Sequence, residues 1–127
     1  MPLLSRVFMA LGAVFAALAV ALSAAAAHVP ALQQAGATFA AALGQQQFHA
    51  LGLVLVGLAL GRRASLWLAC SGALMLVGML LFCMNIHARI LWGWEGARAL
   101  VPAGGSAFIL AWLVFAVGAL WPNKTNQ

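Results

Sequence analysis

The sequence predicts an all-α integral membrane protein built as a four-transmembrane-helix bundle, and three observations carry that expectation. Only six basic residues and one acidic residue occur among 127, so 6% of the chain is charged, against about a quarter in an ordinary soluble domain. The mean hydropathy is +1.08. The charges fall between long apolar runs, and those runs are continuous, without the period-two alternation of barrel strands.

A helix needs about 20 mainly apolar residues to cross a hydrocarbon core of roughly 30 Å. The first run, 7–27, is rich in Ala, Val, Leu and Phe and is longer than the core of a secretory signal, although Arg6 precedes it and an Ala-rich stretch closes it. The second has a strongly apolar part, 51–60, that is too short to cross, so the span is extended backward to 42–61. That extension brings Gln45, Gln46, Gln47 and His49 into the membrane end of the helix. The third and fourth spans are placed at 66–86 and 105–120, both free of formal charge. Between the first two, Pro30 opens a segment with Leu32, Ala35, Phe39 and Leu43 at helical spacing, which predicts a short interfacial helix on the outer membrane surface. Pro102 with Gly104 and Gly105 predicts the turn into the fourth span. One membrane domain, 1–127, is expected, with no internal repeat.

Four spans put both termini on one side. Arg6, the Arg62-Arg63 pair and Lys124 share that side, whereas the first connection has no Lys or Arg and the third has Arg89 and Arg98 with Glu95. The positive-inside rule therefore places both termini of this multi-pass protein in the cytoplasm. Six scattered cations cannot form a nucleic-acid-binding face, so the expected partners are the lipid bilayer and other membrane subunits or a second copy. Trp67, Trp92, Trp94 and Trp121 lie near span ends, where indole prefers the head-group layer; Trp112 is the exception, in mid-span.

The polar residues gather at one level. His28, Gln46, His49 and His87 fall at the outer ends of three spans, and buried polar groups there must be paired with other helices or be costly. Two readings follow: interhelical hydrogen bonding, or an outward-facing cofactor site for copper, haem or a quinone. The first is favoured, because three isolated histidines lack the spacing of a metal site. Met75, Met79, Cys83 and His87 recur every four residues, a stripe that drifts by about 40° per step. Thioether, thiolate and imidazole are Cu(I) ligands, but an interior packing stripe is the more ordinary meaning. Cys70 and Cys83 lie about 20 Å apart along one helix and cannot bridge within the chain. Glu95 is read as a loop ion pair with Arg98 or Arg89. Gly57 and Gly61, and Ala17, Ala21 and Ala25, form small-residue faces suited to close helix contact.

No nucleophile with its base, no phosphate loop and no mid-membrane carboxylate is present, so no enzyme and no bound cofactor are expected. The expected role is that of a small non-catalytic accessory or structural subunit; the alternative is the ligand-handling protein described above.

In order along the chain, Ala24 to His28, the Gln46-Gln47-Phe48-His49-Ala50-Leu51 element, Arg62-Arg63, Leu81-Phe82, and Pro102-Ala103-Gly104-Gly105 with Phe108-Ile109 and Trp112 resemble the small bacterial inner-membrane proteins of DUF family 423, which have a small eukaryotic transmembrane relative. The resemblance covers nearly the whole chain and implies four membrane helices, but no activity. The chain departs from the family pattern at Ser23 to Ala27, at Gln45, where the family has Tyr, and at Cys83-Met84-Asn85-Ile86-His87, which replaces Ser-Gly-Ser-Leu-Tyr.

Overall fold

Leu3 opens a helix that runs to Ala25 and is the first of four helical spans among residues 2–122, which the computed structural model describes. Lys124, one of the cations used above to orient the chain, lies outside the described residues. Helix α1 is Leu3–Ala25 and α2 is Pro30–Arg62. Helix α3, Leu66–Gly78, passes through a π-helical segment, Met79–Met84, into α4, Asn85–Trp92, and together they make the third span. A short 3-10 turn, Arg98–Leu100, leads into α5, Val101–Leu120. No strand occurs among the described residues.

The spans differ from the expected ranges in ways the polar groups explain. The third does not stop at 86. Asn85 is buried and its Nδ2 donates to the carbonyls of Leu81 (2.9 Å) and Ala97 (2.6 Å), so a residue that resembles a span end is satisfied inside the protein and the helix continues to Trp92. The fourth begins at Val101, and Gly104 is a helix contact, not a turn: a Cβ there would lie 2.6 Å from the backbone nitrogen of Phe82.

The second span differs most. At 33 residues α2 is about 50 Å long, more than a bilayer requires. Gly36 interrupts it with φ 51° and ψ −116°, a conformation that glycine alone adopts without strain. The segment expected as an interfacial helix spans this kink. Leu32 before it and Phe39 after it are buried within the protein, and Gln33 Nε2 ties the first part to the Ala27 carbonyl at 3.0 Å.

Two antiparallel pairs make the bundle. Helix α1 presents Ser5, Phe8, Gly12 and Ala19 to its neighbours, spaced for one helical face. Gly12 lies against Ala50 O and Val54, and Gly57 against Met9 and the Ser5 carbonyl, while Ser5 Oγ donates to Gly57 O at 2.6 Å. Ala17 and Ala21, by contrast, face outward. Helix α5 crosses the third span through Gly118 on Trp67, Ser71 Oγ on Ala111 O (2.8 Å), and Phe108 over Gly78. Small residues let these backbones approach, which is the main source of attraction between helices in lipid. Phe8, Leu53, Val56, Leu60, Leu68, Met75 and Ala111 form the core between the pairs. At the end that carries both termini, Arg63 donates to Gly118 O and to Trp121 O, the otherwise orphaned last carbonyls of α5.

Candidate functional site

Three buried polar side chains of the opposite half of the bundle, Gln46, His49 and His87, lie close together. Gln46 is fully buried on α2. Its Nε2 donates to the Phe15 carbonyl of α1 at 2.9 Å, which leaves Oε1 to accept from His87 Nε2 of α4 at 2.8 Å. That assignment is forced, because a carbonyl can only accept and the amide NH2 must therefore face Phe15. His87 is then the Nε2–H tautomer, and its Nδ1 lone pair is the one buried side-chain nitrogen or oxygen among the described residues without a partner.

His49, one helical turn beyond Gln46 and 2% exposed, is fixed in the same way. Trp112 Nε1 can only donate, and it does so to His49 Nε2 at 3.0 Å, so His49 Nδ1–H donates to the Gln45 carbonyl at 2.8 Å. The imidazole stacks on Phe108 with centroids 3.6 Å apart and planes 12° from parallel, and Phe48 closes its edge at 5.2 Å. Phe39 stands 5.8 Å from the His87 ring. The result is a polar clasp, wrapped in aromatic rings, that joins α1, α2, α4 and α5. A groove of about 280 Å³ beside it is lined by Gln45, His49, Phe82, Gly105, Phe108 and Ile109.

The sequence grouped four residues as a cofactor-binding set, and the structure brings three of them together. Gln46, His49 and His87 share the clasp; His28 lies exposed in the turn after α1 and has no hydrogen bond or ring contact to them. Both nitrogens of His49 and both amide atoms of Gln46 are already engaged. A ligand bound by His49 would have to displace Trp112 or break the bond to the backbone.

Met75, Met79, Cys83 and His87 are all buried and do form one interior stripe. Met79 and Cys83 pack with Ala50 and Phe108 in an apolar cluster, and Met75 belongs to the main core. The π-helical segment explains why the stripe stays inside. Its wider i→i+5 turns advance each residue by less than the α-helical 100°, offsetting the drift of about 40° per four residues. Among the described residues no group of three or more His, Cys, Asp or Glu is arranged to hold a metal ion. In the loop, Glu95 Oε1 lies 3.5 Å from Arg98 Nη1, with both side chains about two-thirds exposed, and Arg89 takes no part. Such a pair is worth little in water.

Trp112, Phe108 and the Phe15 carbonyl are the participants that sequence reasoning missed. Trp112 left a trace as the one tryptophan away from a span end, and Phe108 only as part of the family-like pattern.

The family model for a protein of unknown function, DUF423, matches residues 22–105 of the chain, a stretch that includes Gln46, His49 and His87. The UPF0382 inner membrane protein YgdD of Escherichia coli K12 is 30% identical over 80 residues, which cover 59% of this chain and 57% of YgdD. The UPF0382 membrane protein SERP0230 of Staphylococcus epidermidis is 34% identical over 80 residues, 59% of this chain and 61% of that protein. The chain thus matches about three-fifths of the length of these relatives. No solved structure matches. With four apolar spans and relatives of this kind, the chain is a multi-pass protein of the bacterial inner membrane. The breadth of the family match, set on this helical architecture, makes the chain a member of the DUF423 family.

Proposed function

We propose that this protein is a small non-catalytic membrane subunit that packs against a larger membrane complex or against a second copy of itself, without a bound cofactor. The observation that carries the reading is the clasp. Gln46 and His49 spend their hydrogen-bonding capacity on Phe15, His87, Gln45 and Trp112, so the chemistry available on the spans is used to hold helices together. The outer surface of α1 supports it too: Val14, Ala17, Leu18, Val20 and Ala21 face away from the bundle, toward lipid or a neighbouring helix.

Purification of the full chain in mild detergent tests this, with native mass, co-purifying proteins, metal content and the absorbance spectrum read on one sample. A stable assembly larger than one chain, without metal or chromophore, is the expected result. A solitary monomer with no co-purifying protein would sink it, as would a stoichiometric metal or a Soret band that disappears in His49→Ala. One atom favours the alternative, in which an outward-facing site handles copper, haem or a quinone: the buried, unpartnered Nδ1 of His87 is a ready acceptor or ligand. The same spectrum and metal analysis on His87→Ala decide between the two.

A further inference from the structure

The other end of the bundle carries a charge that no side chain among the described residues neutralises. Arg62 and Arg63 end α2 and open the short connection to α3, beside a groove of about 240 Å³ whose other walls are Ala59, Leu68, Phe115 and Ala119. Arg63 uses two of its N–H groups on the α5 carbonyls of Gly118 and Trp121. Arg62 is exposed and has no hydrogen bond or ion pair among the described residues. The chain's only acidic residue, Glu95, sits in the next connection, hence at the opposite membrane face, and is paired with Arg98. No acidic side chain among the described residues therefore compensates Arg62 and Arg63.

The groove sits at head-group depth. Trp67 and Trp121, rings that favour that layer, meet at this end with centroids 5.6 Å apart. Two arginine side chains lining an otherwise apolar groove at this end of the bundle match an amphiphile, with an anionic oxygen cluster joined to hydrocarbon. Guanidinium pairs well with phosphate oxygens, and basic pockets between membrane helices suit anionic head groups. We propose that the Arg62–Arg63 groove binds an anionic phospholipid, its phosphate on the two arginines and the start of an acyl chain along Leu68, Phe115 and Ala119. The bound lipid bridges the end of α2 to the end of α5, reinforcing the contact that Arg63 already makes.

Native mass spectrometry of the full chain in mild detergent, titrated with phosphatidylglycerol and separately with phosphatidylcholine, tests the proposal. One phosphatidylglycerol should be retained in preference to phosphatidylcholine. Arg62→Gln should weaken it about fivefold, the equivalent of about 1 kcal/mol for one cation at a membrane surface, and Arg62→Lys less. Ala119→Trp, which fills the groove while keeping both arginines, should also weaken it, whereas Arg98→Gln should not. Inorganic phosphate and glycerol 3-phosphate should fail to displace the lipid. Equal retention of the two lipids, an equal loss in Arg98→Gln, displacement by inorganic phosphate, or unchanged binding in Ala119→Trp would each overturn it. Circular dichroism of each variant confirms that the helices are intact.

Discussion

Gln46 holds its place because a primary amide can donate and accept at once from a fixed plane, and both neighbours need it: Phe15 O accepts and His87 Nε2–H donates. Gln46→Leu removes both bonds and strands the His87 N–H in an apolar setting. The expected loss is about 1–3 kcal/mol, read as a lower thermal midpoint in mild detergent. Because removing both members of a buried polar pair is far less costly than removing one, Gln46→Leu with His87→Leu should recover much of that loss. A double variant as unstable as the sum of the single ones would show the two residues to be uncoupled. Trp112→Phe, which deletes one donor and leaves an aromatic ring, should cost only about 1 kcal/mol, the usual worth of an interhelical bond in lipid. At this scale the sequence identified the right depth but not the right company. Counting along a helix gives the level of His28, His49 and His87, yet only packing decides that His28 turns outward while Trp112 from another helix turns in.

Among the helices, glycines set how closely partners approach, and identical substitutions should have opposite outcomes. A Cβ at Gly12 would lie 2.7 Å from the Ala50 carbonyl oxygen, a backbone atom that cannot swing aside, so Gly12→Ala should lower the thermal midpoint by the equivalent of about 1–3 kcal/mol. At Gly36 nothing lies within 4 Å, but φ is +51°, so Gly36→Ala is strained by about 1–2 kcal/mol for a reason unrelated to space. Gly44 has neither constraint; Gly44→Ala should be neutral or stabilising by about 0.5–1 kcal/mol, since alanine favours the helix. A Gly36→Ala variant as stable as Gly44→Ala would remove the kink from the account. Hydropathy showed where helices run but not these details. It cannot see that Asn85 finds carbonyl partners, which lengthens the third span, or that a π-helical stretch keeps Met75, Met79, Cys83 and His87 on the inner side.

For the molecule as a whole, charge should set orientation. Reporter fusions after residue 120 and within the 62–65 connection are expected to report the cytoplasm, and a fusion within 93–97 the opposite side. The reverse pattern would invert the positive-inside reading, leaving the bundle itself unchanged. The same separation of charge distinguishes the two ends of the bundle: Arg62 and Arg63 have no acidic side chain to meet them among the described residues, while the other end holds the clasp, Glu95 and Arg98.

The sequence by itself determined that this chain crosses a membrane four times as helices, because a backbone in hydrocarbon must satisfy its own hydrogen bonds and only long apolar runs can be left there. It also carried the family signature, in the element from Gln46 to Leu51 and its companions. Tertiary structure alone decided which polar groups meet. Every pair in the clasp joins residues on different helices except His49 with Gln45, and their encounter depends on the rotation of each helix about its axis and on close contacts at Gly12, Gly57, Gly78 and Gly104. In lipid the outside of a helix is as apolar as the inside, so composition leaves that rotation open, and packing of small against large side chains fixes it.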